Sequence, residues 1–287
     1  MPSDVVRPAT LGRRVSQVGF LCGAIVLGAV STTFAHDFWI IPDLFAVPGD
    51  ATIHVSGRSG TRFPNGSAVE PARVSDARVI GASTEMKITE MAVEGTSLRL
   101  HQKPTSPGQY LIAVALTPRT TRATPAGLLR FLRLEGGASE AARLEKANAF
   151  AGQDSISYTS GSFAFSIVQF GSGGPRAFST SAGFPLEFVP VNDPAHVHLG
   201  DTLHVKIVGA GKPVPDVGVF AGPAADSGAT SPDLTLTADA NGVVHVPLSK
   251  EGAWNLRAAF VYRRPGAAPN EWDVARSTYV FGVSSRH

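Results

Sequence analysis

Short segments in which apolar and polar residues alternate run through most of the chain, separated by clusters of Gly, Pro, Asn and Asp. A period of two puts successive side chains on opposite faces of a pleated strand, so the pattern predicts an all-β protein with many turns. Ala51 to Ser56, Leu203 to Ile207 and Val244 to Leu248 are the clearest cases. In each, the aliphatic residues share one face and a histidine (His54, His204 or His245) takes the other. Phe163 to Phe170 reads as a further strand, with a flexible turn at Gly171 to Pro175. Asn241-Gly242, between Leu234 to Thr237 and Val243 onward, predicts a hairpin or near-hairpin turn, because both residues tolerate positive φ.

One segment departs from this rhythm. From Pro125 to Phe150 the apolar residues Leu128, Leu129, Leu132, Leu144, Ala147 and Phe150 fall at roughly helical spacing, broken at Gly136-Gly137. A short helical insertion is expected there.

An internal repeat frames the rest. One copy runs from Gly49-Asp50 through Ile53-His54-Val55 to Gly108-Gln109-Tyr110, and the other from Gly200-Asp201 through Leu203-His204-Val205 to Gly252-Ala253-Trp254. The shared order of turn, early strand and late strand predicts two tandem immunoglobulin-like β-sandwich domains, residues 36–183 and 184–287, with the helical insert in the first.

Residues 1–35 read as a cleaved signal peptide. Arg7, Arg13 and Arg14 precede an apolar run from Val18 to Val30, and Thr33-Phe34-Ala35 puts small residues at the −3 and −1 positions. The run falls short of the ~20 apolar residues that a membrane-spanning helix needs, so no lasting span is expected after processing. The single cysteine, Cys22, lies in this leader. The mature chain is thus left without disulfides, thiolate metal ligands or a cysteine nucleophile. The leader also carries three of the 25 basic and one of the 23 acidic residues, which leaves the mature chain balanced. That balance supplies no electrostatic reason to expect nucleic acid as a partner.

Familiar catalytic templates are missing: there is no Gly-x-Ser-x-Gly elbow, no phosphate loop ending in Lys-Ser or Lys-Thr, and no His-Glu-x-x-His helix. The carboxylates Glu85, Glu90, Glu187 and Asp216 and the aromatics Tyr110, Trp254 and Trp272 leave glycan chemistry or binding open, against the simpler reading of solvated carboxylates and core aromatics.

Metal ligation has the most specific signals. Cleavage after Ala35 places a free α-amine and an imidazole on His36, a bidentate chelate for copper or nickel, with the Asp37 carboxylate beside it. Phe38-Trp39-Ile40-Ile41 should anchor that terminus in a sheet. His196-Val197-His198 would put two imidazoles on one face of an extended segment. His54, His101 and His245 are further candidate ligands, although surface exposure accounts for His54 and His204 on their strands.

Several segments together resemble one bacterial family, domain-of-unknown-function family 4198, formerly described as nickel- or cobalt-uptake proteins. They include Ala35-His36-Asp37-Phe38-Trp39, Val47-Pro48-Gly49-Asp50, Pro107-Gly108-Gln109-Tyr110, Leu132-Arg133-Leu134-Glu135-Gly136, Gly183 to Pro190, Ala238 to Gly242 and Gly252-Ala253-Trp254. The resemblance implies a periplasmic β-sandwich protein linked to transition-metal uptake. On that reading the chain binds nickel, cobalt or copper through His36, Asp37, His54, His196 and His198, and hands the metal to an inner- or outer-membrane transporter without catalysis. Two other classes stay open: an adhesion or glycan-binding module without metal, and a copper oxidase built on the amino-terminal histidine.

Overall fold

The structure is a computed structural model that describes Met1 and residues 36–224 and 234–286. The expected signal peptide lies outside the described residues. In chain order the strands begin with β1 (Asp37–Pro42), β2 (Ala46–Val47), β3 (Ile53–Arg62), β4 (Asn65–Ser67), β5 (Val74–Ile80) and β6 (Glu85–Lys87). After β7 (Glu90–Glu94), β8 (Ser97–Gln102) and β9 (Gly108–Ala123) come helices α1 (Pro125–Leu134) and α2 (Ala138–Lys146), then β10 (Ile156–Phe170) and β11 (Leu186–Pro190). The chain continues through β12 (Thr202–Gly209), β13 (Lys212–Pro213), β14 (Gly218–Pro223), β15 (Leu234–Thr237), β16 (Val243–Pro247), β17 (Gly252–Tyr262) and β18 (Glu271–Val283).

These strands form three sheets. A central sheet runs β15-β14-β17-β18-β10-β9-β5-β6, with β2 paired to β10. A second sheet runs β1-β3-β8-β7, with β4 on β3, and a third runs β11-β12-β13, with β16 also on β12. The outer sheets cover opposite faces of the central one. Val79, Ile112, Val114 and Val168 pack with Phe38, Ile53, Val55, Leu98 and Leu100 in one core. Their sequence neighbours Ile80, Leu111, Ala113 and Ile167 pack with Phe188, Leu203, Val205, Ile207 and Val246 in another. Burial on both faces explains why β9 is buried without a break from Gly108 to Leu116, where a half-solvated strand would alternate.

The fold is all-β sandwich as the alternation predicts, yet strands from both sides of Gly183 share the central sheet. β10 pairs β18 in parallel from Ser157↔Glu271 to Ser166↔Val280, and residues 34–287 form one compact unit. Gly183 itself lies in the connection between β10 and β11. The boundary expected there therefore does not separate two independent sheets: two sandwich cores are built against one shared layer.

The helical insertion forms where the spacing predicts it. Thr124 caps α1, its Oγ1 accepting from the Gly127 amide at 3.1 Å, and Pro125 opens the helix. Gly136, at φ 81°, ends the first helix as a left-handed residue. Leu128, Leu132 and Leu144 bury against Val261, Trp272 and Val274 of β17 and β18.

The turn at Asn241-Gly242 also forms, but not as a hairpin. Gly242 has φ 74°, its amide bonds the Asp239 carbonyl at 2.9 Å, and Asp239 Oδ1 accepts from the Asn241 and Val243 amides. Because β15 pairs with β14 while β16 pairs with β12, the turn carries the chain from the central sheet to the third.

Candidate metal-binding residues

The alternation in β3 buries Ile53 and Val55 and turns His54 outward. On the neighbouring strand the register sets His101 directly opposite, and the two imidazoles meet with Nδ1 atoms 2.6 Å apart. The rings are edge-on, with centroids 4.7 Å apart and planes at 75°. A carboxylate acceptor is close by, but Asp43 is engaged by Arg99, whose Nη1 and Nη2 reach its two oxygens at 2.8 and 2.6 Å. That hydrogen bond is the main reason the Asp43 carboxyl sits below its ordinary value, and the two histidines add to it.

The same arrangement occurs a second time. His204 on β12 stands opposite His245 on β16, again with Nδ1 atoms 2.6 Å apart, centroids at 4.8 Å and planes at 78°. Asp239 lies 3.8 Å from His245 Nε2, its carboxyl held low chiefly by the Val243 amide and then by the Asn241 amide. Each pair joins an early strand of a repeat copy to the strand just before its late Gly. His101 is the seventh residue before Gly108 and His245 the seventh before Gly252.

The amino-terminal residues take different roles from one another. His36 is exposed. Asp37, in contrast, is buried and its Oδ2 accepts from Arg257 Nη1 at 2.6 Å. Its carboxylate is neutralised inside the fold, so the expectation that it joins His36 as a ligand gives way to a structural role. Beside it, Glu135 at the end of α1 accepts from Arg276 Nη1 at 2.6 Å, and the same nitrogen donates to the His36 carbonyl at 3.1 Å. Burial raises the Glu135 carboxyl above its ordinary value, the Asp37 charge raises it further, and Arg276 opposes both. Arg257 also lies over the Phe220 ring, 4.8 Å from its centre. The apolar run anchors the terminus in a sheet as expected, with Phe38, Trp39 and Ile40 buried and β1 paired to β3, and the Asp37–Arg257 ion pair and the Arg276 bond to the His36 carbonyl add to that hold.

The His196-Val197-His198 segment does not present both imidazoles on one strand face. Pro194–His196 is a 3-10 turn, so the alternation that the expectation relied on is not available. Each imidazole instead faces its own aspartate, His196 Nδ1 at 2.9 Å from Asp193 Oδ2 and His198 Nδ1 at 3.6 Å from Asp201 Oδ2. Among the described residues no group of three or more His, Cys, Asp or Glu converges as a closed metal site. The pairs offer two protein ligands each. The signal that could have found the partners of His54 and His204 is the equal distance of His101 and His245 from the repeat glycines. The aromatics that left glycan binding open are core residues: Tyr110, Trp254 and Trp272 are all buried.

The family model described as "Domain of unknown function (DUF4198)" matches residues 33–261, and the chain belongs to that family. No curated protein matches the sequence. Among solved structures, the chain is similar to the adhesin InvE of Yersinia pseudotuberculosis at 14% identity and TM-score 0.19, covering 85% of this chain and 58% of that one. It is similar to trypsin-activated alpha-2-macroglobulin from Escherichia coli at 10% identity and TM-score 0.23, covering 87% of this chain and 16% of that one. A third, the Escherichia coli adhesin FdeC, matches at 11% identity and TM-score 0.22, covering 87% and 97% of the two chains.

Proposed function

We propose that this member of the DUF4198 family is an exported, periplasmic protein that binds a divalent transition metal reversibly (nickel, cobalt or copper) as an accessory of its uptake. The observation that carries the reading is the facing of His54 and His101 across two strands, Nδ1 to Nδ1. Imidazole is a ligand suited to these metals, and rigid neighbouring strands hold the two rings together before a metal arrives. Two nitrogens at about 2.0–2.1 Å from one metal stand roughly 2.9–3.4 Å apart for angles from square to tetrahedral. At 2.6 Å the two Nδ1 atoms are in hydrogen-bond contact, which two neutral rings make when one Nδ1 is protonated and the other accepts. Metal takes the place of that proton as the donating ring passes to its Nε2–H tautomer through water, and a small rotation of the exposed rings opens the gap to the coordination distance.

A site of two protein ligands keeps the remaining coordination positions for water, which suits a protein that must both take up and release its cargo. His36, at the start of the clamped strand β1, is a separate chelating place if its amine is freed by processing. Delivery to a membrane transporter is the use of such a site that the reading adds, and the reversibility of a two-ligand site is compatible with it.

The test is calorimetric titration of residues 36–287 with nickel, cobalt and copper, beside His54→Ala, His101→Ala and a form with one alanine added before His36. The expected result is a loss of affinity of roughly tenfold or more, about 1.4 kcal/mol, at one site in either histidine variant. Unchanged binding in both would remove the pair from the mechanism. A loss confined to the alanine-extended form would move the site to His36. Turnover of a reductant with dioxygen by the copper-loaded protein would favour the oxidase class instead.

A further inference from the structure

A cavity of about 580 Å³ opens between the 3-10 turn Pro194–His196 and the ends of β10 and β18, well within the size range of pockets for small organic ligands. One wall is apolar, formed by Phe45, Ile167, Val197 and Val283. Gly282 makes room for that wall: a Cβ there would stand 2.5 Å from the Phe45 ring. At the other side His196 and Arg176 reach the same cavity, both largely exposed.

Behind them lies a carboxylate whose acceptor positions are filled. Asp193, 9% exposed, accepts from Gln109 Nε2 at 2.8 Å on each oxygen and from the Ala195 amide at 3.0 Å. Gln109, 1% exposed, is in turn fixed because its Oε1 accepts from the Ala177 amide at 3.2 Å. The remaining Asp193 partners are His196 Nδ1 at 2.9 Å and Arg176 Nε at 3.6 Å. A carboxylate only accepts, so the His196 tautomer that fits this contact has its proton on Nδ1 and a lone pair on Nε2. Asp193 thus acts as a positioning residue. It orients one imidazole acceptor and stands 3.6 Å, as ion-pair partner, from one guanidinium whose terminal nitrogens have no protein partner among the described residues. The buried support is the kind of second layer that sets a binding group in place rather than a solvated surface pair.

We propose that this cavity binds a small carboxylate that bears a hydrogen-bond donor on the adjacent carbon and an apolar side chain, that is, an apolar α-amino or α-hydroxy acid. The carboxylate goes to the terminal nitrogens of Arg176, the adjacent ammonium or hydroxyl donates to His196 Nε2, and the side chain lies on the wall of Phe45, Ile167, Val197 and Val283. A planar guanidinium matches a carboxylate through two parallel bonds, and a site built to receive a donor discriminates strongly against analogues without one. The site shares no residue with the paired imidazoles of the proposed metal function, so either can fail without the other.

The test uses residues 36–287 in a chelating buffer, so that no metal bridges ligand and protein. L-phenylalanine and L-phenyllactate are titrated by calorimetry beside hydrocinnamate, which lacks the donor, and phenylalaninol, which lacks the carboxylate. At least one of the first two should bind saturably, with each deficient analogue roughly tenfold weaker or worse. Arg176→Ala should remove the preference for the carboxylate and His196→Ala the preference for the donor; both side chains are exposed, and thermal unfolding of each variant checks that the fold is retained. Absence of saturable binding by both full ligands would overturn the proposal, and so would discrimination that survives in both variants.

Discussion

Replacing Arg276 by methionine tests the clamp that holds β1 to the rest of the fold. Arg276 Nη1 binds Glu135 at 2.6 Å and the His36 carbonyl at 3.1 Å, its Nε and Nη2 reach Ser160 and Ser162 at 3.2 and 2.8 Å, and its guanidinium lies 5.6 Å from the centre of the Phe131 ring. Methionine keeps the apolar stem and removes the charge. What remains is Glu135, 3% exposed, ionised near the Asp37 charge with no cation of its own. Breaking a buried pair on one side costs about 3–5 kcal/mol, because the surviving charge has lost both water and partner. For a chain of this size that is a fall in Tm of roughly 6–20 °C, read by urea unfolding and thermal melts.

The sign of the pH dependence follows from the direction of the Glu135 shift. Its carboxyl is raised by burial and by the Asp37 charge, so the folded state holds this proton more tightly than the unfolded chain does. Stability from this group is present below the unfolded carboxylate value and is lost as pH rises through the folded one. Removing Arg276 pushes the folded value higher still. The deficit of Arg276→Met relative to the parent should therefore shrink on acidification from about pH 7 to about pH 5, as Glu135 takes up its proton. Adding Glu135→Gln to Arg276→Met should recover most of the loss at neutral pH. A deficit below about 1 kcal/mol at pH 7, or one unchanged by acidification and by the second substitution, would refute the reasoning.

Other expected outcomes test separate parts of the molecule. Leu132→Ala should cost about 2–5 kcal/mol in denaturant unfolding, since the side chain is fully buried between the helical insert and the central sheet. Thr124→Ala should cost about 1 kcal/mol by removing the cap on α1, and a serine at the same position should restore it. Gly242→Ala should destabilise by more than about 1 kcal/mol in the same assay, because φ is 74° and a Cβ would meet the Val214 amide nitrogen at 2.9 Å. Tyr279→Phe should be neutral or stabilising by about 1 kcal/mol, since its hydroxyl is buried without a hydrogen-bond partner, and a loss beyond that would point to an unrecognised partner. If the two histidine pairs act alike, His54→Ala and His204→Ala should each remove one equivalent of bound metal, with the double variant losing both.

The residues that sequence reasoning placed well are those whose fate is decided within a few positions. Strand alternation around His54 and His204, the helical insert from Pro125 with its break at Gly136-Gly137, and the positive φ at Gly242 all follow from local periodicity and backbone sterics. What could not be read locally is pairing between distant segments. Nothing in Phe163 to Phe170 states that β10 lies parallel to β18, more than a hundred residues on; in the fold the strand is buried from Gly161 to Val168, as a strand covered on both faces is. The error at His196-Val197-His198 had a local cause, because Pro194 at the head of the segment favours a tight turn over an extended strand.

The histidine pairs lie between these two cases. Exposure of one imidazole was legible from its strand, while its partner, 47 residues away in one copy and 41 in the other, depends on strand register. Register is set by which face must be buried: shifting β8 by one residue against β3 would expose Leu98 and Leu100 and bury His101, so the one apolar core that both strands share holds His54 and His101 in opposition as a consequence of its packing. The same holds for β12 and β16, where Leu203, Val205, Val244 and Val246 are buried and the two histidines between them face outward. A cross-strand imidazole pair is therefore available without irregular backbone and without a dedicated loop. A duplicated sandwich motif carrying histidine at matching positions produces it twice, and replacing Leu100 by a polar residue should weaken metal binding at the first pair while leaving the second intact.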